Sequence, residues 1–282
     1  MGKPVISDLF RQFKHRRRLA RARAELQSRD LAQGRAHGLP APLIVSVTSY
    51  AARFGTLALT LRGLLGQSVR PDRVILWLAQ NDLSSLPAEV RALEAHGLQV
   101  QPCPDWRSYK KIVPALLEHG DSYIVTADDD VYYPHDWLEG LVLAARSGAQ
   151  VACHRAHRVT LDAAGLPRPY GEWDHNITTP DRSPLVFLTG VSGVIYAPGA
   201  LHPDVTNADL FTRLAPRSDD VWLYWMHRLN GVEAQKIGGK ARILEWEGSQ
   251  AQSLRSENLH GTGNDQAIAA MLGHYGWPGR AE

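Results

Sequence analysis

The stretch DSYIVTADDDVYYPHDWL, residues 121–138, decides the fold. Its first seven residues form a short apolar, β-branched run, which reads as a strand buried on both faces. Three aspartates, Asp128, Asp129 and Asp130, follow at once. Upstream, IVPALLEHG (112–120) reads as a short helix stopped by Gly120, and LQVQPCP (98–104) as a strand. Residues 87–96 have helical character and end at Gly97, behind a strand VILWLA (74–79). Leu57, Leu61, Leu64 and Leu65 mark a helical face, and LIVSVTS (43–49) is the first strand. Four strands alternating with three helices predict a parallel sheet of right-handed βαβ units. The aspartates then sit at the carboxyl end of the fourth strand, where open α/β sheets bind ligands.

Downstream the pattern loosens. VACHRAHRV (151–159) reads as a strand, 160–184 as a loop, and PLVFLTGVSGVIYAP (184–198) as strand, glycine turn and strand. SDDVWLYWMHRLNG (218–231) is helical, with Ser218 or Asp219 as cap. AQKI (234–237) is a short strand and NDQAIAAMLGHYG (264–276) a last helix. The expectation is one α/β domain over 43–276, a ligand-binding half (43–135) and an α+β half (136–276) closing over the sheet, with 277–282 as a tail.

The chain has 282 residues, 44% hydrophobic and 21% charged, which excludes global disorder. No apolar run reaches the ~18 residues of a membrane span. Two cysteines, Cys103 and Cys153, exclude a disulfide scaffold and fit a reducing, cytoplasmic setting. The formal charge of +2 is uneven: residues 1–30 carry nine Lys/Arg against three acids, leaving the remainder at −4. Ile6, Leu9, Phe10 and Phe13 recur at helical spacing beside Arg11, Lys14, Arg17, Arg18 and Arg21. Residues 5–23 therefore suit an anionic membrane surface at the inner face of a membrane. The alternatives are a solvated tail or a helix docked on its own domain. Nucleic acid is not expected as a partner, because the folded body lacks the matching basic excess. Residues 33–42 read as a linker, which makes 1–42 a basic helix and linker ahead of the domain.

Three adjacent carboxylates repel one another unless a cation is present. Asp128 and Asp130 point to the same side of an extended backbone, so both can face one hard divalent ion. An EF-hand loop is excluded by Tyr132 and Tyr133, and no P-loop or dinucleotide fingerprint occurs.

Taken in order, SVTSYAARF (46–54), DWRSYKKIVPAL (105–116), IVTADDDVYYPHDWL (124–138), GVSGVIYAPGALH (190–202), SDDVWLYWMHRLNG (218–231) and NDQAI (264–268) resemble a GT-A fold nucleotide-sugar-dependent glycosyltransferase. The likeness is to bacterial enzymes of cell-surface polysaccharide assembly. It implies a Rossmann-like, mostly parallel central sheet, and Mn²⁺ or Mg²⁺ held by Asp128 and Asp130, with His260 (or His274) as a further ligand. It places Thr48, Tyr50, Arg53, Asp105, Lys110, Lys111, Asp128 and Asp129 on the nucleotide-sugar donor. Asp220, with Asp219 close behind, takes the place of the catalytic base in inverting members. Trp173, Gly193 and Trp222 fall on the side of a glycan or lipid-linked acceptor. The chemistry suits these groups: a cation stabilises a departing diphosphate, and a carboxylate takes the acceptor proton. The competing readings are a nucleotidyltransferase, for which Tyr50-Ala51-Ala52-Arg53 lacks a glycine-rich loop, and a non-catalytic carbohydrate-binding protein.

Overall fold

A computed structural model describes residues 4–31, 33–247 and 263–278. In chain order the elements are α1 (Pro4–Ser28), β1 (Arg35–Ala36), β2 (Leu43–Thr48), α2 (Phe54–Leu65), β3 (Val69–Arg70), β4 (Arg73–Ala79), α3 (Ala88–Arg91), β5 (Leu98–Cys103), α4 (Val113–Glu118) and β6 (Tyr123–Ala127). There follow α5 (Trp137–Arg146), β7 (Val151–Cys153), β8 (Ala156–Arg158), β9 (Asp181–Ser183), β10 (Val186–Leu188), β11 (Val194–Tyr196), α6 (Ala208–Leu214), α7 (Asp219–Leu229), β12 (Ala234–Lys236) and α8 (Gly263–Tyr275).

The main sheet has eight strands in the order β5-β4-β2-β6-β11-β7-β12-β9. The first four are parallel, as the alternation predicts. β11 runs antiparallel between β6 and β7, and β12 is parallel to β7. Alternate residues of β2 serve opposite faces. Ile44 joins Ile75, Trp77 and Ile124 in the core beneath α7 and α8; Leu43, Val45 and Val47 join Leu76, Leu78 and Val125 beneath α2 and α5. This two-sided burial explains why β2 and β4 read as continuous apolar runs. Ser46 is the buried polar exception. Its hydroxyl donates to the Lys111 carbonyl (2.6 Å) and accepts from Trp77 Nε1 (3.0 Å).

The irregular half departs from expectation in three places. The strand expected over 151–159 breaks at His154-Arg155; β8 leaves the main sheet and pairs with β10. His154 Nε2 reaches the Trp137 carbonyl (2.9 Å), which draws the chain toward α5. The two strands of 184–198 consequently belong to different sheets. Between them Gly193 has φ +94°, and a Cβ there would come within 2.4 Å of the Trp137 ring. The sequence reading also assigns no element to α5 or α6. α5 buries Trp137, Leu138, Leu141, Val142, Ala144 and Ala145, a legible helical spacing, whereas α6 is short and depends on its Asn207 cap.

The basic leader is part of the folded body. α1 buries Leu19, Ala22 and Leu26 against Leu244 and Trp246. The buried Arg29 guanidinium donates to the carbonyls of Gly63 (2.9 Å) and Tyr133 (3.2 Å) and pairs with Glu25 (2.6 Å). The expected linker contributes β1, which pairs parallel to β3, and His37, which meets Asp72 at 2.9 Å. The docked-helix alternative therefore holds for the second half of α1. Leu26→Ala should cost about 2–5 kcal/mol in chemical denaturation, as for any fully buried leucine; an unchanged midpoint would mean that the helix is not docked. Among the described residues no helix is long and apolar enough to cross a membrane.

Candidate active site

A cavity of about 770 Å³ opens at the carboxyl ends of β2 and β6, against the start of α7. Its floor is the aspartate run, whose backbone is pinned on three sides. Tyr133 Oη accepts the Asp128 N–H (2.8 Å), Thr60 Oγ1 donates to the Asp129 carbonyl (2.9 Å), and the Trp246 N–H donates to the Asp130 carbonyl (2.9 Å). The run leaves β6 as a turn, so its side chains do not alternate as the extended reading expects: Asp129 and Asp130 both reach Arg53, whereas Asp128 reaches Lys111. Asp129, 4% exposed, turns inward; its oxygens accept from Ser49 Oγ (2.6 Å) and Arg53 (2.7 Å). It positions Arg53 rather than offering itself to a ligand. Asp128 Oδ1 meets Lys111 Nζ at 2.9 Å, and Asp130 Oδ2 lies 3.3 Å from Arg53. Burial first, then Asp128 and Asp129, push the Asp130 carboxyl up to about 7. The Arg53 guanidinium beside it offsets this only in part.

The second acid pair lies across the cavity. Neither member caps α7: Ser218 occupies the cap position and its hydroxyl donates to Asn264 Oδ1 (2.8 Å). Asp219 Oδ2 sits 3.1 Å from Lys111 Nζ. Asp220 Oδ1 accepts the Gly190 N–H (2.7 Å), and the residue is half-buried. Burial and the neighbouring Asp219 push its carboxyl up to about 7. A Cβ at 190 would stand 2.8 Å from Lys111 Nζ and 3.1 Å from Asp220 Oδ1, so any other residue there would push both side chains aside.

Lys111 joins the two acid motifs. Burial alone would lower its ammonium; Asp128, Asp219 and Asp220 outweigh that and hold it well above its ordinary value. Lys110 is also buried, 3.1 Å from Asp105 Oδ1 and donating to the Ser49 carbonyl (3.4 Å). Thr48 Oγ1 donates to the Trp77 carbonyl (2.8 Å), and Arg53 lies over the Tyr50 ring (5.7 Å). All the residues expected on the donor line this cavity, as do both acid pairs.

The acceptor-side expectations need correction. Trp173 is buried among Tyr170 and Phe187, and its Nε1 donates to the Arg168 carbonyl (2.8 Å). Trp222 is wholly buried and bonded to the Val205 carbonyl (3.1 Å). Neither ring face is open to a sugar, and Gly193 serves the turn beneath Trp137; none of the three lines the cavity. Aromatic side chains in an all-apolar setting go to the core, and composition alone does not separate that from sugar stacking. His260 lies outside the described residues, and His274 is exposed on α8, away from the cavity. Among the described residues no third His, Cys or acidic side chain completes a metal cage.

Sequence reasoning missed Asp82, Arg107, Arg155, His157, Tyr170, Arg217, Glu245 and Asn264. Arg217 immediately precedes the Ser218–Asp220 motif and was open to discovery. Arg155 was hidden by the strand expected through it. Arg107 holds a left-handed φ of +54° that no sequence pattern signals. The lining counts eight carboxylates (Asp82, Asp105, Asp128, Asp129, Asp130, Asp219, Asp220, Glu245) against six cations (Arg53, Arg107, Lys110, Lys111, Arg155, Arg217). Such a site can take a divalent cation on its acidic floor and an anion on its basic wall.

No family model matches the chain, and no curated protein is similar to it. Among solved structures it is similar to the mannosyltransferase PcManGT from Pyrobaculum calidifontis in complex with GDP-Man and Mn²⁺. That likeness has 12% identity and a TM-score of 0.44, over 97% of this chain and 82% of that one. It is also similar to glucosyl-3-phosphoglycerate synthase from Mycobacterium tuberculosis with Mn²⁺, UDP and glucosyl-3-phosphoglycerate (13%, 0.42, 83% and 80%). A third is CMP:2-keto-3-deoxy-manno-octonic acid synthetase complexed with CTP (14%, 0.41, 74% and 91%). At these identities and scores the similarities do not discriminate between activities.

Proposed function

We propose that the chain is a metal-dependent, inverting glycosyltransferase. It would move a sugar from a nucleotide-sugar donor to a hydroxyl of a glycan or lipid-linked acceptor, in bacterial cell-surface polysaccharide assembly. The observation that carries the reading is the junction at Lys111, which brings the aspartate run and the Asp219–Asp220 pair to one cavity.

Asp128 and Asp130 are the residues that would hold Mn²⁺ or Mg²⁺. The fit rests on the excess of carboxylates in the lining and on the raised Asp130 carboxyl. When bound, such an ion neutralises charge gathering on a departing diphosphate. Thr48, Tyr50 and Arg53 seat the nucleotide, with Arg53 held in place by Asp129. Asp220, fixed by Gly190, takes the proton of the acceptor hydroxyl as it attacks from the side opposite the leaving group.

A thermal-shift panel of UDP, GDP, dTDP and CDP, with and without Mn²⁺, tests the donor site. One nucleoside diphosphate should raise Tm only when Mn²⁺ is present, since a ligand at ~100 times its Kd adds about 2.7 kcal/mol. The rise should vanish in Asp130→Ala. If no nucleotide stabilises the protein, the transferase reading fails. Pyrophosphate release from a nucleoside triphosphate would replace it with a nucleotidyltransferase.

A further inference from the structure

α1 has two unlike faces. One carries Leu19, Ala22 and Leu26, buried on the body. About half a turn round the helix, at ~100° per residue, lie Phe10, Phe13, Lys14, Arg17 and Arg21. Phe10 is 60% exposed and Phe13 57%, and both are among the few large apolar side chains left open in the described residues. Lys14 Nζ lies 4.8 Å from the Phe10 ring and the Arg17 guanidinium 5.9 Å from the Phe13 ring. Residues 9–24 hold seven Lys/Arg and no acid.

At the seam between α1 and the body is a second cavity, about 400 Å³, with Arg18, Arg21 and Arg242 in its wall. Its one acid, Glu25, is already engaged by Arg29 (2.6 Å) and by the Tyr132 hydroxyl (3.1 Å). Three arginines thus line one cavity whose acid is already engaged, which suits a phosphate group.

We propose that the outward face of α1 seats the protein on an anionic phospholipid bilayer. Phe10 and Phe13 enter the headgroup–acyl boundary, and Arg18, Arg21 and Arg242 take a lipid phosphate. A polyanion such as duplex nucleic acid would use the cations alone; two exposed aromatic rings interleaved with them match a lipid interface. The seat is fixed to the side of the molecule that carries the aspartate run. α1 packs on Leu244 and Trp246, and Trp246 holds the Asp130 carbonyl. The proposal is independent of the transferase reading, because vesicle binding is read without substrate.

The test is co-sedimentation of the full chain with phosphatidylcholine vesicles and with phosphatidylcholine–phosphatidylglycerol vesicles. Partitioning should be at least about tenfold stronger onto the anionic vesicles, with about fivefold lost per basic residue removed in Arg18→Gln, Arg21→Gln and Arg242→Gln. The Phe10→Ser/Phe13→Ser double variant should lose about tenfold or more with an unchanged Tm, since both rings are exposed. Equal partitioning to both vesicle types overturns the proposal. So does anionic binding that is indifferent to the phenylalanines, or that millimolar inorganic phosphate displaces.

Discussion

Asp220→Asn is expected to cut sugar transfer by about 10²–10⁴-fold, the usual worth of a general base, while nucleoside diphosphate affinity stays as in the parent. The amide keeps the shape of the side chain, and its oxygen can still accept the Gly190 N–H, so the cavity should not rearrange. What it loses is the ability to take a proton. Asp219 does not substitute, because its carboxylate is paired with the Lys111 ammonium at 3.1 Å. A pH profile gives an independent reading. A base works deprotonated, and the Asp220 carboxyl is pushed up to about 7. Turnover at saturating donor and metal should therefore rise with pH through about 7 and flatten above it. Retained turnover in Asp220→Asn, or a profile flat from pH 5 to 8, would move the base elsewhere.

Lys111→Met carries the largest expected effect on stability, about 3–5 kcal/mol, because removing one partner leaves buried charge uncompensated. Two carboxylates depend on this ammonium, Asp128 at 2.9 Å and Asp219 at 3.1 Å, and the lysine side chain is 8% exposed. Arginine is a poor replacement, since a Cβ at Gly190 would already stand 2.8 Å from the ammonium, which leaves little room for a larger guanidinium. The double variant Lys111→Met/Asp219→Asn should recover part of the loss, because it removes one of the stranded charges. Urea denaturation of the three proteins reads this directly. A loss under about 1 kcal/mol in Lys111→Met would mean that water, not Lys111, balances the acids.

The parallel half of the sheet was legible because its strands are buried on both faces and punctuated by Gly97 and Gly120. The aspartate run was legible for the same reason: its position follows from the end of β6. The β8–β10 ribbon was not, because three-residue strands carry too little pattern to reveal which strand they pair with. The roles of Lys110 and Lys111 were half legible. Their place near the acids follows from topology, but two adjacent lysines ordinarily read as solvated, and only tertiary structure buries both. The acceptor side was read least well. Trp173 and Trp222 stand out by residue type alone, whereas the cavity wall there is made of Arg155, His157 and Tyr170, scattered through segments without periodicity.

The place of β11 in the sheet has a consequence for synthesis. β6 finds its second neighbour only in residues 194–196, and β7 is flanked by β11 and by β12, residues 234–236. A nascent chain that has emerged only through the aspartate run therefore exposes an unpaired apolar strand edge beside three clustered carboxylates. Long-range pairing of this kind is slow and prone to aggregation until it closes. Fragments ending between β6 and β11 should be recovered insoluble, and splitting the chain there into two co-expressed pieces should succeed only if both are made together.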